Sequence, residues 1–209
     1  MTIDLTPRWE NFAVYLPAMQ YPYASAVDSN KMLGDRDFPL GLKLTDLDFL
    51  DPKSKLWHYG YALYSAGQFT DARPRACCVT NRDRAKTIVL GDSGGFQIGK
   101  GTLKGTEHFK KAKSAEDVCD MWRDSGDVRQ RIVRWLDTHS DYAMTIDMPL
   151  WARAPANSKT PFHKCTVEQL IELSVDNLDY IKNKSDGSTK WLNVLQGTNA
   201  VDADRKLTI

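Results

Sequence analysis

Three short apolar runs, each stopping at a polar side chain, constrain the fold of this 209-residue chain more than any other feature. Thr87-Ile88-Val89-Leu90 leads into Gly91-Asp92-Ser93-Gly94-Gly95-Phe96-Gln97, Tyr142-Ala143-Met144-Thr145-Ile146 stops at Asp147, and Lys190-Trp191-Leu192-Asn193-Val194-Leu195 stops at Gln196-Gly197. Apolar runs of this length, bounded by glycine and polar residues, have the pattern of buried strands. Helical patterns lie between them. Ser114-Ala115-Glu116-Asp117 has the form of a capping box and opens a stripe of Val118, Met121, Trp122, Ile132, Trp135 and Leu136, with a break expected near Ser125-Gly126-Asp127. Thr166-Val167-Glu168-Gln169 caps a second helix that carries Val167, Leu170, Ile171, Leu178 and Ile181 on one face. Strand, helix, strand, helix, strand predicts an α/β fold with parallel strands and crossover helices. In a βα barrel the C-terminal strand ends share one mouth, so Asp92, Asp147 and Gln196 are expected to converge there.

The rest of the chain is less periodic. Phe12-Ala13-Val14-Tyr15-Leu16, ending at Pro17, is expected as a first strand, and Leu56, Trp57, Tyr59, Leu63 and Tyr64 predict an amphipathic helix over 54–66 stopped by Gly67. Cys77-Cys78-Val79-Thr80 reads as a short strand, and Asp202 onward as the start of another helix. The length suits one domain. No apolar run approaches the roughly 20 residues of a membrane helix, and the N-terminus lacks a basic then apolar leader, so a cytoplasmic protein without a membrane partner is expected. The four cysteines form no C-x-x-C pair, and His58, His108, His139 and His163 fall in no ligand spacing, so neither disulfides nor a metal site is expected. Net charge is +1, which gives no overall basic excess. Locally, Lys100, Lys104, Lys110, Lys111 and Lys113 follow the glycine turn, and Arg82, Arg84 and Lys86 precede its strand. Such runs are solvated loops or, beside a site, phosphate contacts.

The strand-end residues match one chemistry in particular. A carboxylate accepts from the adjacent N–H groups of guanine, a glutamine amide donates to its O6, and Phe96 can stack on a base. A further carboxylate near the sugar suits glycosidic-bond chemistry. Asp92-Ser93-Gly94-Gly95-Phe96-Gln97, Thr145-Ile146-Asp147 and Val194-Leu195-Gln196-Gly197, in this order, resemble the tRNA-guanine transglycosylase family over residues 85–209. The resemblance implies a modified (β/α)8 TIM barrel that exchanges guanine in tRNA for a 7-deazaguanine, such as queuine or its precursors, through a covalent enzyme–nucleic-acid intermediate. It implies Asp92 as the catalytic carboxylate, Ser93, Gly94 and Gly95 as the turn shaping the pocket, and Phe96 as an aromatic wall. Asp147 and Gln196 would read the base edge, with Gly197 beside them.

The sequence departs from the family at two places. Met148-Pro149 stands where a glutamate usually follows the second aspartate. The family's nucleophilic aspartate and its cysteine-rich zinc module lie later than the matched motifs, and neither is found here, so no cofactor is expected in this chain. The expectation is one partial barrel domain over 1–209, incomplete at its C-terminus and either a fragment or a shortened relative. The partners implied are a nucleic acid and a 7-deazaguanine base, with a homodimer or paired subunit compatible. The N-terminal third matches the tRNA enzymes poorly, which places the phage branch that modifies DNA close behind. A non-catalytic accessory subunit is the alternative from another class. Gly91-Asp92-Ser93-Gly94-Gly95 also resembles the nucleophile motif of trypsin-like serine proteases, but those are all-β and have proline where Phe96 stands.

Overall fold

Alternation along the strands sets the two faces of the sheet. In β3 (Ile88–Asp92), Val89 and Gly91 are buried while Ile88, Leu90 and Asp92 are half-buried; in β2 (Tyr61–Ser65), Ala62 and Tyr64 are buried beneath helices. With β1 (Leu16–Met19), β4 (Tyr142–Met144) and β5 (Lys190–Leu192) they form a five-stranded sheet in the order β1-β2-β3-β4-β5, every pair parallel. The protein is thus α/β, with helices flanking an all-parallel sheet. The computed structural model describes residues 15–19, 24, 44–68, 77–197 and 201.

The helices follow the caps closely. α3 (Ala115–Asp124) starts at Ser114, whose hydroxyl accepts from Asp117 N–H at 3.1 Å, and α5 (Val167–Lys184) starts at Thr166, which does the same for Gln169. The break near Ser125 is present, and α4 (Gly126–His139) begins directly after it. α4 packs so closely on β3 that a Cβ on Gly91 would lie 2.1 Å from the Ser140 hydroxyl. From the same helix, Trp135 and His139 cover Tyr64, at ring distances of 4.5 and 5.5 Å.

Two expected elements differ. No helix spans 54–66: residues 57–59 have no regular structure and Tyr61–Ser65 is β2. The apparent helical stripe mixes an exposed Leu56 and Trp57 with residues that alternate at period two, Ala62 and Tyr64 against Tyr61 and Leu63. Cys77–Thr80 is not a strand but the start of α1 (Cys78–Asn81), closed by the Thr80 hydroxyl, which accepts from Cys77 N–H at 2.8 Å. The first strand runs Leu16–Met19, later than expected; Phe12–Val14 and the helix expected from Asp202 lie outside the described residues. Among the described residues no helix is long and apolar enough to cross a membrane.

Candidate active site

Because every strand runs the same way, the residues at the C-terminal ends of β2, β3, β4 and β5 lie along one edge. Ser65 of β2 stands in register with Asp92 of β3. Its hydroxyl donates to Asp92 Oδ2 at 2.5 Å and accepts from Gly67 N–H at 3.3 Å. Asp92 Oδ1 has no hydrogen-bond partner among the described residues, so one oxygen is held and the other is free for a ligand.

The turn after Asp92 is built by contact distances that admit only glycine. Gly94 has φ +91°, and a Cβ there would lie 2.5 Å from the Cα of Gly67. The two glycines therefore pack back to back and join the ends of β2 and β3. At Gly95, which opens α2 (Gly95–Lys100), a Cβ would meet only the Asp147 carbonyl, at 3.9 Å, among the described residues. Ser93 is buried, and its hydroxyl donates to the Thr145 carbonyl at 2.9 Å. That bond ties the end of β3 to the end of β4, and the proton of Ser93 is committed to a carbonyl rather than to a histidine.

Asp147 and Gln196 meet directly. The Gln196 amide Nε2 donates to Asp147 Oδ2, and its Oε1 accepts from Leu150 N–H at 3.2 Å. From the helix side, the Ser174 hydroxyl lies 3.3 Å from Asp147 Oδ1 and accepts from Met148 N–H at 3.0 Å. Asn177, fully buried, donates to the Ile146 carbonyl at 2.8 Å and accepts from Trp122 Nε1 at 2.8 Å. Met148 is fully buried.

Leu150, Trp151, Leu195, Gln196 and Gly197 line a cleft of about 340 Å³, within the usual range of small-molecule sites. Phe96 is 63% exposed, with its ring 5.9 Å from that of Trp151, and Lys100 Nζ lies 6.0 and 5.6 Å from the two ring centres. A larger cavity of about 480 Å³ lies at the other end of β3, beside Asp48, Asp51, Arg82 and Asp83. Its carboxylates cap their own loops: Asp48, Asp51 and Asp83 each accept from the backbone N–H two residues on.

The sequence brought forward Asp92, Ser93, Gly94, Gly95, Phe96, Asp147, Gln196 and Gly197, and all lie on this edge of the sheet. Arg82 and Arg84, read as part of a solvated run or, beside a site, as phosphate contacts, instead bind Asp141 at the opposite end of the sheet, at 2.6 and 3.3 Å. The sequence missed Ser65, Ser174, Asn177 and Trp151. Asn177 left a visible signal, an amide at a core position of the stripe Leu170, Leu173, Asn177, Ile181. Among the described residues no three His, Cys, Asp or Glu side chains are grouped to hold a metal ion. No protein-family model, curated protein or solved structure matches the chain.

Proposed function

We propose that this edge is the base-exchange site of a guanine transglycosylase acting on tRNA or DNA. The observation that carries the reading is the Gln196–Asp147 pair beside an Asp92 with one free carboxylate oxygen. Asp147 is held by the Gln196 amide on Oδ2 and by the Ser174 hydroxyl on Oδ1, which fixes its direction, and since each carboxylate oxygen can accept more than one bond it can still receive the N1–H and exocyclic amine of guanine. The Gln196 amide is fixed from both ends, so its direction is set before a ligand arrives. Phe96 and Trp151 supply apolar ring surface beside the cleft. Asp92 is the carboxylate that assists exchange, on the arm of the site nearest β2. A guanine inside a nucleic acid reaches such a cleft only when it is turned out of its stack.

The order of the strands supports a barrel. A doubly wound sheet reverses its strand order at a switch point, whereas β1 to β5 pair in sequence order throughout, as in the first part of a (β/α)8 barrel. The face opposite α4 carries Tyr61, Leu63, Ile88, Leu90 and Met144, an apolar set suited to a barrel interior.

Incubation of the folded protein with labelled guanine and with tRNA and DNA in parallel tests the reading. Label entering tRNA identifies a queuosine-type enzyme, and label entering DNA a genome-modifying one. Label entering neither contradicts the proposal.

A further inference from the structure

The chain's net charge of +1 hides a separation of charge. Two loops, residues 99–113 after β3 and 148–165 after β4, together carry Lys100, Lys104, Lys110, Lys111, Lys113, Arg153, Lys159 and Lys164 against one carboxylate, Glu107. All eight cations are exposed, and none forms an ion pair among the described residues. Glu107 is turned back on its own loop, where it accepts from Gly105 N–H at 3.0 and 3.1 Å. By contrast, α5 carries Glu168, Glu172, Asp176 and Asp179, and three carboxylates surround Arg123 of α3.

The two loops form one surface. Phe109 and Phe162 join beneath it with ring centres 6.0 Å apart, Lys164 Nζ donates to the Ala112 carbonyl, and Lys100 Nζ donates to Asn157 Oδ1 at 2.7 Å. Gly101, at φ +64°, sits against the Pro161 ring, where a Cβ would lie 2.7 Å away. The surface ends at the mouth: Lys100 lies beside both Phe96 and Trp151, next to the cleft that holds Gln196. Eight cations without an ion pair on a common support repel one another, and among the described residues no side-chain hydrogen bond or ion pair engages Lys104, Lys110, Lys111, Lys113, Arg153 or Lys159.

We propose that this surface is the docking tract for the phosphodiester backbone of a nucleic-acid strand, leading the strand to the mouth at Phe96 and Trp151. The proposal rests on the base-exchange reading for the identity of the partner. A basic track that ends at exposed aromatic rings is how proteins hold single strands independently of sequence, with phosphates on the track and bases on the rings.

The test is fluorescence anisotropy of a labelled single-stranded DNA and a labelled tRNA, titrated with the full chain over a series of salt concentrations. The variant Lys110→Glu/Lys111→Glu/Lys159→Glu alters exposed side chains that make no hydrogen bond among the described residues, and a thermal melt confirms its fold. The control Lys53→Glu/Lys182→Glu/Lys184→Glu makes the same charge change elsewhere. At about 0.7 released counterions per single-strand phosphate, loss of three contacts lowers the log–log salt slope by about 2 and weakens binding roughly a hundredfold near 0.1 M salt. The control is expected to stay within about threefold of the parent. Equal weakening by both variants, weakening by neither, or no binding by the parent overturns the tract. If the parent exchanges base and the tract variant leaves KM for the nucleic acid unchanged, the tract fails while the function stands. If binding follows the tract but no base is exchanged, the function fails while the tract stands.

Discussion

The two ends of the parallel sheet both carry aspartates, and they use them in opposite ways. At the N-terminal end Asp141 is saturated: it accepts from Arg82 at 2.6 Å, from Val89 N–H at 2.7 Å and from Arg84 at 3.3 Å, and the Arg82 side chain is fully buried. At the C-terminal end Asp92 accepts from one donor among the described residues, the Ser65 hydroxyl. A saturated carboxylate fixes backbone and leaves nothing for a ligand, whereas a carboxylate held by one oxygen is oriented and still available. The same side chain is therefore a staple at one end of the strands and, in the proposed reading, a reactive group at the other, which is the division of labour expected of parallel α/β sheets.

Substitutions at the two ends separate these roles. The largest effect is expected from Asp92→Asn, which should lower base exchange about a thousandfold, the scale of a lost carboxylate in proton transfer, with thermal stability essentially unchanged. Exchange near the parental rate would remove Asp92 from the site. At the opposite end, Asp141→Ala leaves a buried guanidinium without its partner and should cost about 3 kcal/mol in urea unfolding, while exchange per folded molecule persists. A loss below about 1 kcal/mol, typical of a surface pair, would show that Asp141 is no staple.

Acid should act on the stapled end in a similar way. Burial against Trp135 and Tyr64 pushes the pKa of His139 down to about 4. A histidine that stays neutral in the fold but protonates at about 6.5 when unfolded contributes stability fully above that value. The contribution is lost as pH falls from about 6.5 toward 4, amounting to about 3 kcal/mol at the lower end. Unfolding free energies measured across that window should fall in the parent and flatten in His139→Phe. A parallel fall in both would place the acid sensitivity elsewhere. The smallest effect is expected from Ser65→Ala, which removes the one hydrogen bond orienting Asp92 and should lower exchange about tenfold, the scale of a hydrogen bond to a charged group. An unchanged rate would mean that Asp92 is oriented by the strand alone.

The C-terminal end was the more legible of the two in the sequence. Asp92, Asp147 and Gln196 each follow a mostly apolar run, and parallel strands turn that simple pattern into proximity. Ser65 was hidden because aromatic residues on both sides of β2 mimic a helical stripe, which only the pairing of Tyr61–Ser65 with Ile88–Asp92 resolves. Arg82 and Arg84 stand close to Asp92 in sequence, but a five-residue strand at about 3.3 Å per residue carries them roughly 15 Å or more away, to the opposite end of the sheet. Ser174 and Asn177 act on Ile146, Asp147 and Met148 from a helix about 30 residues later, a separation that local patterns do not encode.

Calorimetric titration with a free 7-deazaguanine base tests the assignment of the two ends most directly, because binding requires neither nucleic acid nor turnover. The parent and Asp141→Asn should bind with the same affinity, and Asp147→Ala and Gln196→Ala should lose saturable heat while remaining folded. Equal binding by all four proteins, or none by the folded parent, would contradict the placing of a purine site at the C-terminal ends of the strands.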